Sequence, residues 1–430
     1  MPKSSDRVSL AGFLAGLVFL SFSGGVVVQY YGWWPSGYYT EALDAYKAQQ
    51  EKKAMIAEAK NQPRYTAQQL TEKAKISLFD EKRMQPGNTL ICGEQSSLFL
   101  INPQGKLLHS WALQYYKAFP ERGHSSDPMP DASINCVSAY AYPTGDVLVV
   151  YHAVGDTPYG YGLAKLDRES RVIWSYSRNL HHDVYVGDDG TIYTLTQDFV
   201  KKPIKGLEDV KYPILNDGIA ILDPSGKERD FIPLLEAFIG TRYEEELKKP
   251  HRDTEAFDYI HTNSVMPLEE RLADKFPMFE VGDLLVSARN YDLVFVVSPK
   301  THKVKWGLKG GWRGQHHARF LENGAIQIFD NNGFLGEGKN HLSRLLEVDP
   351  ASGDTRWTYI GKGDGMFYTD WNGSQESQPG GNVLIIVSKP GRLLEVTRDK
   401  QVVWSYNQKM PIYSAHRYAP DYFVKEFMKP

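Results

Sequence analysis

Three histidines occupy one position of a repeated strand pattern, and their type and spacing point to chemistry on a bound ion. They are His182, His261 and His316, and each stands where a short apolar run begins. The runs align on the glycine that opens the strand after each of them. A single histidine is more often structural, but three in register favour a shared role, because symmetry without a functional demand would more naturally repeat an apolar residue or glycine. Converging imidazoles suit a divalent transition metal or an oxyanion.

Arg289 discriminates between a metal and an anion. It ends the strand GDLLVSAR in the same repeat as His261. A permanent guanidinium beside the histidines repels a metal cation, and it can hold a sulfate or phosphate through two parallel hydrogen bonds. The sequence therefore predicts an anion site and no metal site. Two alternatives stay open: a structural ion pair between Arg289 and Asp292, and a metal-dependent hydrolase or lyase that adds a carboxylate such as Asp183.

The element that must position these residues is a sixfold repeat. An apolar run, a polar corner and an aromatic residue recur, and the aromatic residues are Trp111, Trp174, Phe231, Trp306, Trp357 and Trp404. This period fits a four-stranded propeller blade with variable loops. Alternating apolar runs opened by glycine fill the same segments. The fold class predicted is all-β, a six-bladed β-propeller in which the inner strands meet at a central channel.

The two ends of the repeat are each incomplete. The last inner strand, at 413–418, has no downstream sequence to complete a blade, and the segment 88–111 has no inner strand ahead of it. We expect the two ends to close one blade together, which protects the sheet edges.

An apolar segment near the amino terminus predicts a membrane anchor. Residues 10–28 are uncharged and mostly apolar, close to the roughly 20 residues that a helix needs to cross a bilayer. Lys3 and Arg7 precede the segment, and the next basic residue is Lys47. The positive-inside rule then places the amino terminus in the cytoplasm and the rest outside. A cleaved signal peptide, with small residues at 21–23, is the alternative.

Composition suggests three parts and excludes one class of partner. We expect an anchor or transmembrane helix at 1–35, a helical stalk rich in Ala, Lys, Glu and Gln at 36–75, and the propeller at 76–430. The formal charge of -3 and the pI near 6.5 give no electrostatic reason to expect a nucleic-acid partner.

The two cysteines, Cys92 and Cys136, permit a disulfide in an exported compartment, and two unpaired core cysteines are the alternative.

Several stretches resemble the bacterial arylsulfotransferase family: ISLFDEKRMQPGNTLICGEQSSLFLINPQGKLLHSW, HHDV, DYIHTNSV, LLVSARN and GQHHARFLENGAIQIFDNN. The resemblance implies a periplasmic six-bladed propeller that moves a sulfuryl group from an aryl sulfate donor to a phenolic acceptor, without a nucleotide sulfate donor or other cofactor. By motif, it places a transiently sulfated histidine at His316. It places sulfate binding and proton handling at His182, His261 and Arg289.

Substrate contacts are expected from Arg289, His317, Asn263 and Trp312. The doubled histidines at 181–182 and 316–317 leave a one-residue ambiguity, because a register shift exchanges the ring that faces the channel. Aromatic substrates need flat apolar walls, and the candidates in loops near the aligned column are Trp312, Phe334, Phe367, Tyr368 and Trp371.

The expected location is the inner (cytoplasmic) membrane, with one span and the propeller in the periplasm. The rival interpretation is a catalytically inactive, membrane-tethered propeller that serves as an assembly or binding platform in an envelope complex, since one fold supports both uses. The sequence leaves the natural donor and acceptor open. It also leaves open whether the chain forms a homo-oligomer or binds an envelope protein.

Overall fold

The computed structural model describes residues 4–31, 33, 36–61, 64–95, 97–121, 128–153, 156, 158–249, 257–333 and 342–428. The chain divides into two compact units, Met1–Gln62 and Pro63–Pro430. The first unit contains helices α1 (Ser4–Tyr30) and α2 (Ser36–Asn61). Within α1, the segment Phe13–Tyr30 has the length and apolar composition of a membrane-spanning helix.

The second unit begins with helix α3 (Ala67–Lys73) and strand β1 (Lys75–Phe79). Thr66 and Gln69 form a capping box that satisfies the first N–H groups of α3. Leu70 of this helix is buried in an apolar cluster with Met84 and Ile91. Helix α3 is therefore part of the compact unit that contains the sheets.

Among the described residues, twenty-four further strands form six four-stranded antiparallel sheets, which confirms the six-bladed propeller. In chain order they are β2 (Asn88–Gly93), β3 (Ser97–Ile101), β4 (Leu107–Ser110), β5 (Ile134–Ala141), β6 (Val147–Ala153), β7 (Gly160–Leu166), β8 (Val172–Tyr176), β9 (Leu180–Val186), β10 (Ile192–Val200), β11 (Ile214–Leu222), β12 (Glu228–Pro233), β13 (Thr262–Pro267), β14 (Leu284–Ala288), β15 (Leu293–Ser298), β16 (Lys303–Lys309), β17 (His316–Phe320), β18 (Ile326–Asp330), β19 (Arg344–Val348), β20 (Thr355–Tyr359), β21 (Ser374–Ser377), β22 (Val383–Val387), β23 (Arg392–Val396), β24 (Val402–Asn407) and β25 (Ile412–Tyr418). Short helices α4 (Tyr115–Ala118), α5 (Leu234–Phe238) and α6 (Glu244–Leu247) lie in the insertions.

Blades 1 to 5 are the consecutive strand groups β5–β8, β9–β12, β13–β16, β17–β20 and β21–β24, and β1 extends blade 5 along β24. Blade 6 has the order β25-β2-β3-β4, so the two ends of the ring close one blade, as expected. A disulfide joins Cys92 of β2 to Cys136 of β5. The closing blade is thereby linked covalently to blade 1.

The aromatic residues of the repeat connect neighbouring blades. They lie on or directly after the fourth strand, and four of the indole N–H groups donate to a carbonyl in a turn of the next blade. The pairs are Trp111 to Gly145 (3.0 Å), Trp306 to Pro350 (3.1 Å), Trp357 to Arg398 (3.3 Å) and Trp404 to Pro103 (2.8 Å). Tryptophan combines a large apolar area with one donor, which explains its recurrence at this position.

Bulges in the inner strands aim side chains into the channel. The ladder between the first and second strands of a blade shifts by an extra residue at Val137 in β5, Asn263 in β13, His317 in β17 and Tyr413 in β25. In β9 the shift in the ladder spans His182 and Asp183. A bulge bends the strand and redirects the inserted side chain. All five of these residues line the central cavity.

Candidate functional site

The structure brings the three predicted histidines and Arg289 into one cluster. The ring centre of His182 lies 5.0 Å from that of His261 and 6.2 Å from that of His316. Arg289 directly follows β14, and its Nη1 lies 3.3 Å from His261 Nε2. Three successive blades therefore contribute side chains to one place. His182 and His261 have φ of +57° and +49°, a strained conformation for residues other than glycine that is often found at functional sites.

Asn331 fixes the orientation of His316. The Asn331 amide donates through Nδ2 to the carbonyls of Thr369 (3.0 Å) and Asn372 (2.7 Å). Its Oδ1 must then face His316 Nδ1, which lies 2.7 Å away and donates to it. The proton of the neutral ring is on Nδ1, so Nε2 carries a lone pair, which accepts from the backbone N–H of Asn372 at 3.1 Å. This is the tautomer that a nucleophilic imidazole requires.

A second histidine fixes the orientation of His182. His181 is fully buried, and its Nε2 donates to the carbonyl of Thr196 at 3.1 Å. His181 Nδ1 is therefore an acceptor, and His182 Nδ1 donates to it at 2.8 Å. His182 Nε2 is left with a lone pair that can accept or carry a proton. The ambiguity of this doubled pair is resolved: the second histidine joins the cluster and the first lies behind it.

His261 couples a carboxylate to the guanidinium. Its Nδ1 donates to Asp258 Oδ2 at 2.5 Å, and its Nε2 faces Arg289 Nη1. The contact positions the guanidinium beside the cluster. Arg289 Nε donates to Asn290 Oδ1 at 3.2 Å, which adds a second contact that orients the group.

Burial holds the cluster in its neutral form. Desolvation lowers the pKa of His316 to about 3, and the positive charge of Arg289 adds to this effect. Desolvation also lowers the pKa of His182 and of His261 well below the usual value, and the positive charge of Arg289 adds to the effect at His261. Each imidazole is thus uncharged at neutral pH. The guanidinium supplies the positive charge of this cluster.

Tyr159 was not identified from the sequence. Its Oη lies 3.3 Å from His261 Nδ1 and accepts from Gln197 Nε2 at 3.3 Å. Burial raises its pKa well above the ordinary value, so it remains a neutral phenol. Asn331, His181 and Asp258 were also missed as site residues. The sequence doublets HH and NN contain two of these residues, His181 and Asn331. No local pattern, however, indicates that these two side chains orient other side chains of the site.

The central cavity has a volume of about 720 Å³ and runs along the inner strands. His182 and His316 line it near the cluster, and Asn263 and His317, which were predicted to contact substrate, also line it. His316 joins the cluster and His317 faces the cavity beside it. The described residues contain no group of three His, Cys, Asp or Glu side chains placed to hold a metal ion.

None of the predicted aromatic wall residues that the structure describes lines the cavity. Trp312 is 2% exposed, packs in the apolar core with Phe320 and donates through Nε1 to the carbonyl of Asp292 at 2.8 Å. The structure thus places Trp312 in the core rather than at a substrate. Phe367 packs against Phe329 and Tyr359, and Trp371 packs against Tyr413, whereas Phe334 lies outside the described residues.

The sequence profile of a family described as Arylsulfotransferase (ASST) matches residues 141–409, more than half of the chain. The matched segment contains the three histidines and Arg289. No curated protein sequence matches the chain.

Solved structures with a similar fold share little sequence. A protein of unknown function from Bacteroides caccae is 13% identical, with a TM-score of 0.48 over 77% of this chain and 99% of that one. The WD40 propeller domain of Doa1 is 10% identical, with a TM-score of 0.39 over 77% of each chain. Virginiamycin B lyase from Staphylococcus aureus is 8% identical, with a TM-score of 0.34 over 63% of this chain and 69% of that one.

Proposed function

The chain belongs to the arylsulfotransferase family, and we propose that it moves a sulfuryl group from an aryl sulfate to a phenol through a sulfohistidine at His316. One observation carries the proposal beyond family membership. Asn331, held by two backbone carbonyls, keeps the His316 proton on Nδ1 and leaves Nε2 able to attack.

In the first half of the reaction, His316 Nε2 attacks the sulfur of the aryl sulfate. The N–S bond forms, the bond between sulfur and the aryl oxygen breaks, and the phenolate leaves. A sulfate monoester carries one negative charge, so a neutral imidazole approaches sulfur with little repulsion. The bound anion raises the pKa of His182 and allows it to take up a proton at Nε2, which it then gives to the phenolate.

In the second half, the acceptor phenol gives its proton to His182, and its oxygen attacks the sulfur. The N–S bond breaks and His316 regains its lone pair, so atoms and charges balance over the cycle. By analogy with phosphoryl transfer, the transition state is loose, and stabilisation of charge on the sulfuryl oxygens is the main task. Arg289 supplies that charge. The Asn372 N–H, released from Nε2 on attack, supplies another donor.

We propose further that α1 anchors the chain in the cytoplasmic membrane, with the propeller in the periplasm. The support is the apolar span Phe13–Tyr30 together with the basic residues Lys3 and Arg7 before it. The disulfide between Cys92 and Cys136 fits an oxidising compartment. Protease treatment of spheroplasts tests this topology, because a periplasmic propeller is degraded from outside and a cytoplasmic one is protected.

The test of function uses the full chain in detergent, 4-nitrophenyl sulfate as donor and phenol as acceptor. We expect transfer by the wild type, and one added SO3 group on His316, detected by mass spectrometry under mildly alkaline conditions with donor alone. His316→Asn should abolish both. His302→Asn is the matched control, because His302 is half-buried and pairs with Asp230 away from the cluster. Transfer by His316→Asn, or none by the wild type with any acceptor, would refute the proposal.

A further inference from the structure

Asp217 of β11 is a buried carboxylate behind the histidine cluster. It is 1% exposed, and its Oδ2 accepts from the backbone N–H (2.5 Å) and the hydroxyl (2.8 Å) of Thr262. Among the described residues, its only ion-pair partner is His181, whose Nε2 lies 3.9 Å from Asp217 Oδ1. A buried charge is costly unless it is paired. A buried carboxylate with a histidine as its counter-charge therefore indicates a role in handling protons.

His181 connects Asp217 to the cluster. Its Nδ1 accepts from His182 Nδ1 at 2.8 Å, and its Nε2 contacts both the carbonyl of Thr196 (3.1 Å) and Asp217 Oδ1. The proton between the two Nδ1 atoms can move from His182 to His181, which places a positive charge beside the carboxylate. A proton taken up at His182 Nε2 is thus stabilised by Asp217 through one intervening ring.

His182 is the histidine of the cluster that can carry this proton. His316 Nε2 is the attacking atom of the proposed reaction. His261 Nε2 faces Arg289 Nη1 at 3.3 Å, so a proton added there would meet a fixed positive charge. The carboxylate of Asp258 already accepts from His261 Nδ1 at 2.5 Å. His182 therefore needs a counter-charge of its own.

The other ionisable groups near His182 do not supply that counter-charge. Burial lowers the pKa of His152 to about 3, and burial raises the pKa of Tyr159 well above its ordinary value, so both side chains are neutral. Asp183, the next residue of β9, is held by Arg319 at 2.7 Å. A negative charge that serves His182 must therefore come from behind the cluster.

Asp217 is largely ionised above about pH 6. Desolvation raises its pKa to about 6, although attraction to His181 opposes the rise. The neighbouring Asp258 adds to the rise by repulsion. Gln197 Nε2 lies 3.4 Å from Asp217 Oδ1 and 3.3 Å from Asp258 Oδ1, and it donates to this pair of carboxylates. The amide thus reduces their mutual repulsion and helps to keep both charged.

Resting on the proposed function, we propose that Asp217 is a positioning residue that acts through His181 to stabilise the proton on His182 during sulfuryl transfer. In the first half of the reaction, His182 Nε2 gives its proton to the leaving phenolate, and the bridging proton returns from His181 Nδ1 to His182 Nδ1. In the second half, the acceptor phenol gives its proton to His182 Nε2, and the bridging proton moves to His181 Nδ1. The protons therefore balance over the cycle.

The experiment compares two donors with the full chain in detergent and 2-naphthol as acceptor. The phenolate that leaves phenyl sulfate needs a proton, whereas 4-nitrophenolate leaves without one. Asp217→Asn should lower kcat/KM about fivefold with phenyl sulfate and less than about twofold with 4-nitrophenyl sulfate, because His182 is protonated less often without the carboxylate. The loss of the carboxylate lowers the pKa of His182. The alkaline limb of the pH profile with phenyl sulfate should therefore move down by about one pH unit.

A second variant and a control accompany this substitution. His181→Asn keeps an oxygen that accepts from His182 Nδ1 but cannot take up the proton, so it should show the same selective loss with phenyl sulfate. Asp283→Asn is the matched control, because Asp283 is also buried, at 2% exposed, but accepts from Lys305 Nζ and the Glu280 N–H at 2.8 Å each and does not line the cavity. The control should behave as the wild type with both donors.

The outcomes separate this proposal from the proposed function. Transfer by the wild type, with an equal loss for both donors or an unmoved alkaline limb in Asp217→Asn, overturns the role of Asp217 and leaves the function standing. If Asp217→Asn does not fold, His181→Asn decides by the same criteria.

If the wild type transfers no sulfuryl group, the proposed function fails, and calorimetry decides the role of Asp217. The probe is inorganic sulfate, titrated in two buffers of different ionisation enthalpy, which gives the number of protons taken up on binding. A smaller proton uptake by Asp217→Asn than by the wild type and Asp283→Asn supports the role. Equal uptake by all three proteins, or no binding of sulfate, overturns it.

Discussion

Replacing Asn331 by alanine tests the reasoning about the nucleophile most directly. The substitution removes the shorter of two acceptors at His316 Nδ1, Asn331 Oδ1 at 2.7 Å, and leaves the Gly314 carbonyl at 3.2 Å and the histidine itself in place. We expect kcat/KM for sulfuryl transfer to fall while the propeller remains folded. The Gly314 carbonyl and the Asn372 N–H still favour the same tautomer, so the variant tests the hydrogen bond from Asn331 separately from the presence of His316.

The expected magnitude follows from the charge on the intermediate. The ring of the sulfated histidine is positively charged, so its Nδ1–H bond to Asn331 becomes charge-assisted during the reaction. A hydrogen bond to a charged group contributes about 1.5–3 kcal/mol, which corresponds to a loss of about 10- to 100-fold in rate. Asn331 is fully buried, and the carbonyl of Asn372 loses a donor at 2.7 Å. This lost bond should lower the free energy of unfolding by about 1–3 kcal/mol.

The assay is steady-state transfer from 4-nitrophenyl sulfate to phenol, with melting temperature measured on the same samples. Asn332→Gly is the matched control: the neighbouring amide has φ of +51°, which glycine tolerates, and it donates to the carbonyl of Leu342 instead of orienting His316. The control should keep near wild-type activity. A folded Asn331→Ala protein with more than half of the wild-type kcat/KM would refute the contribution of the Asn331 hydrogen bond to the reaction.

Asn331→Asp adds a readout that a purely structural role would not change. A carboxylate facing Nδ1 raises the pKa of His316, which burial holds at about 3 in the native chain. The protonated ring has no lone pair for attack, so the pH at which kcat/KM is lost on acidification should move upward. An unchanged acid limb would contradict the assignment of His316 as the group that must be neutral.

Three further predictions concern stability. Cys92→Ser should lower the free energy of unfolding by about 2–4 kcal/mol, since the disulfide to Cys136 closes a separation of 44 residues; melting curves with and without reductant check this, and identical curves contradict it. Burial lowers the pKa of His152 and His316 to about 3. The unfolded chain therefore binds more protons than the folded chain between about pH 6.5 and 3, and the free energy of unfolding should fall across that window on acidification. A melting temperature that stays constant between about pH 7 and 4 would contradict this prediction. Arg417→Met should lower the free energy of unfolding, measured by chemical denaturation, by roughly 3–5 kcal/mol, because it leaves the buried carboxylate of Glu395 without its ion-pair partner. A decrease below about 1 kcal/mol would show that the ion pair is dispensable.

The ring architecture was predictable because each blade repeats a local pattern. The alternating apolar runs and the terminal tryptophans need only near neighbours in sequence to be recognised, and the incomplete first and last segments implied that they form one blade. The structure confirms this in the sheet that pairs β25 with β2. The column of histidines was found in the same way. The sequence leaves the register of this column open by one residue, because a bulge adds a residue to most inner strands and no local signal fixes its position.

Trp312 shows where sequence reasoning fails. An aromatic residue in a loop beside the column has the composition expected of a substrate wall, yet its indole lies in the core and bonds to the carbonyl of Asp292. Whether an aromatic ring faces a cavity or a core depends on the direction of its side chain. That direction follows from how the loop packs against the neighbouring blade.

The amino-acid sequence by itself determined the class of fold, the number of blades, the closing blade and the identity of the converging histidines and Arg289. These features follow from the periodicity of the sequence, which can be recognised from a few neighbouring residues at a time. Only the tertiary structure decided the tautomers of His316 and His182, because each depends on partners that are brought together by folding.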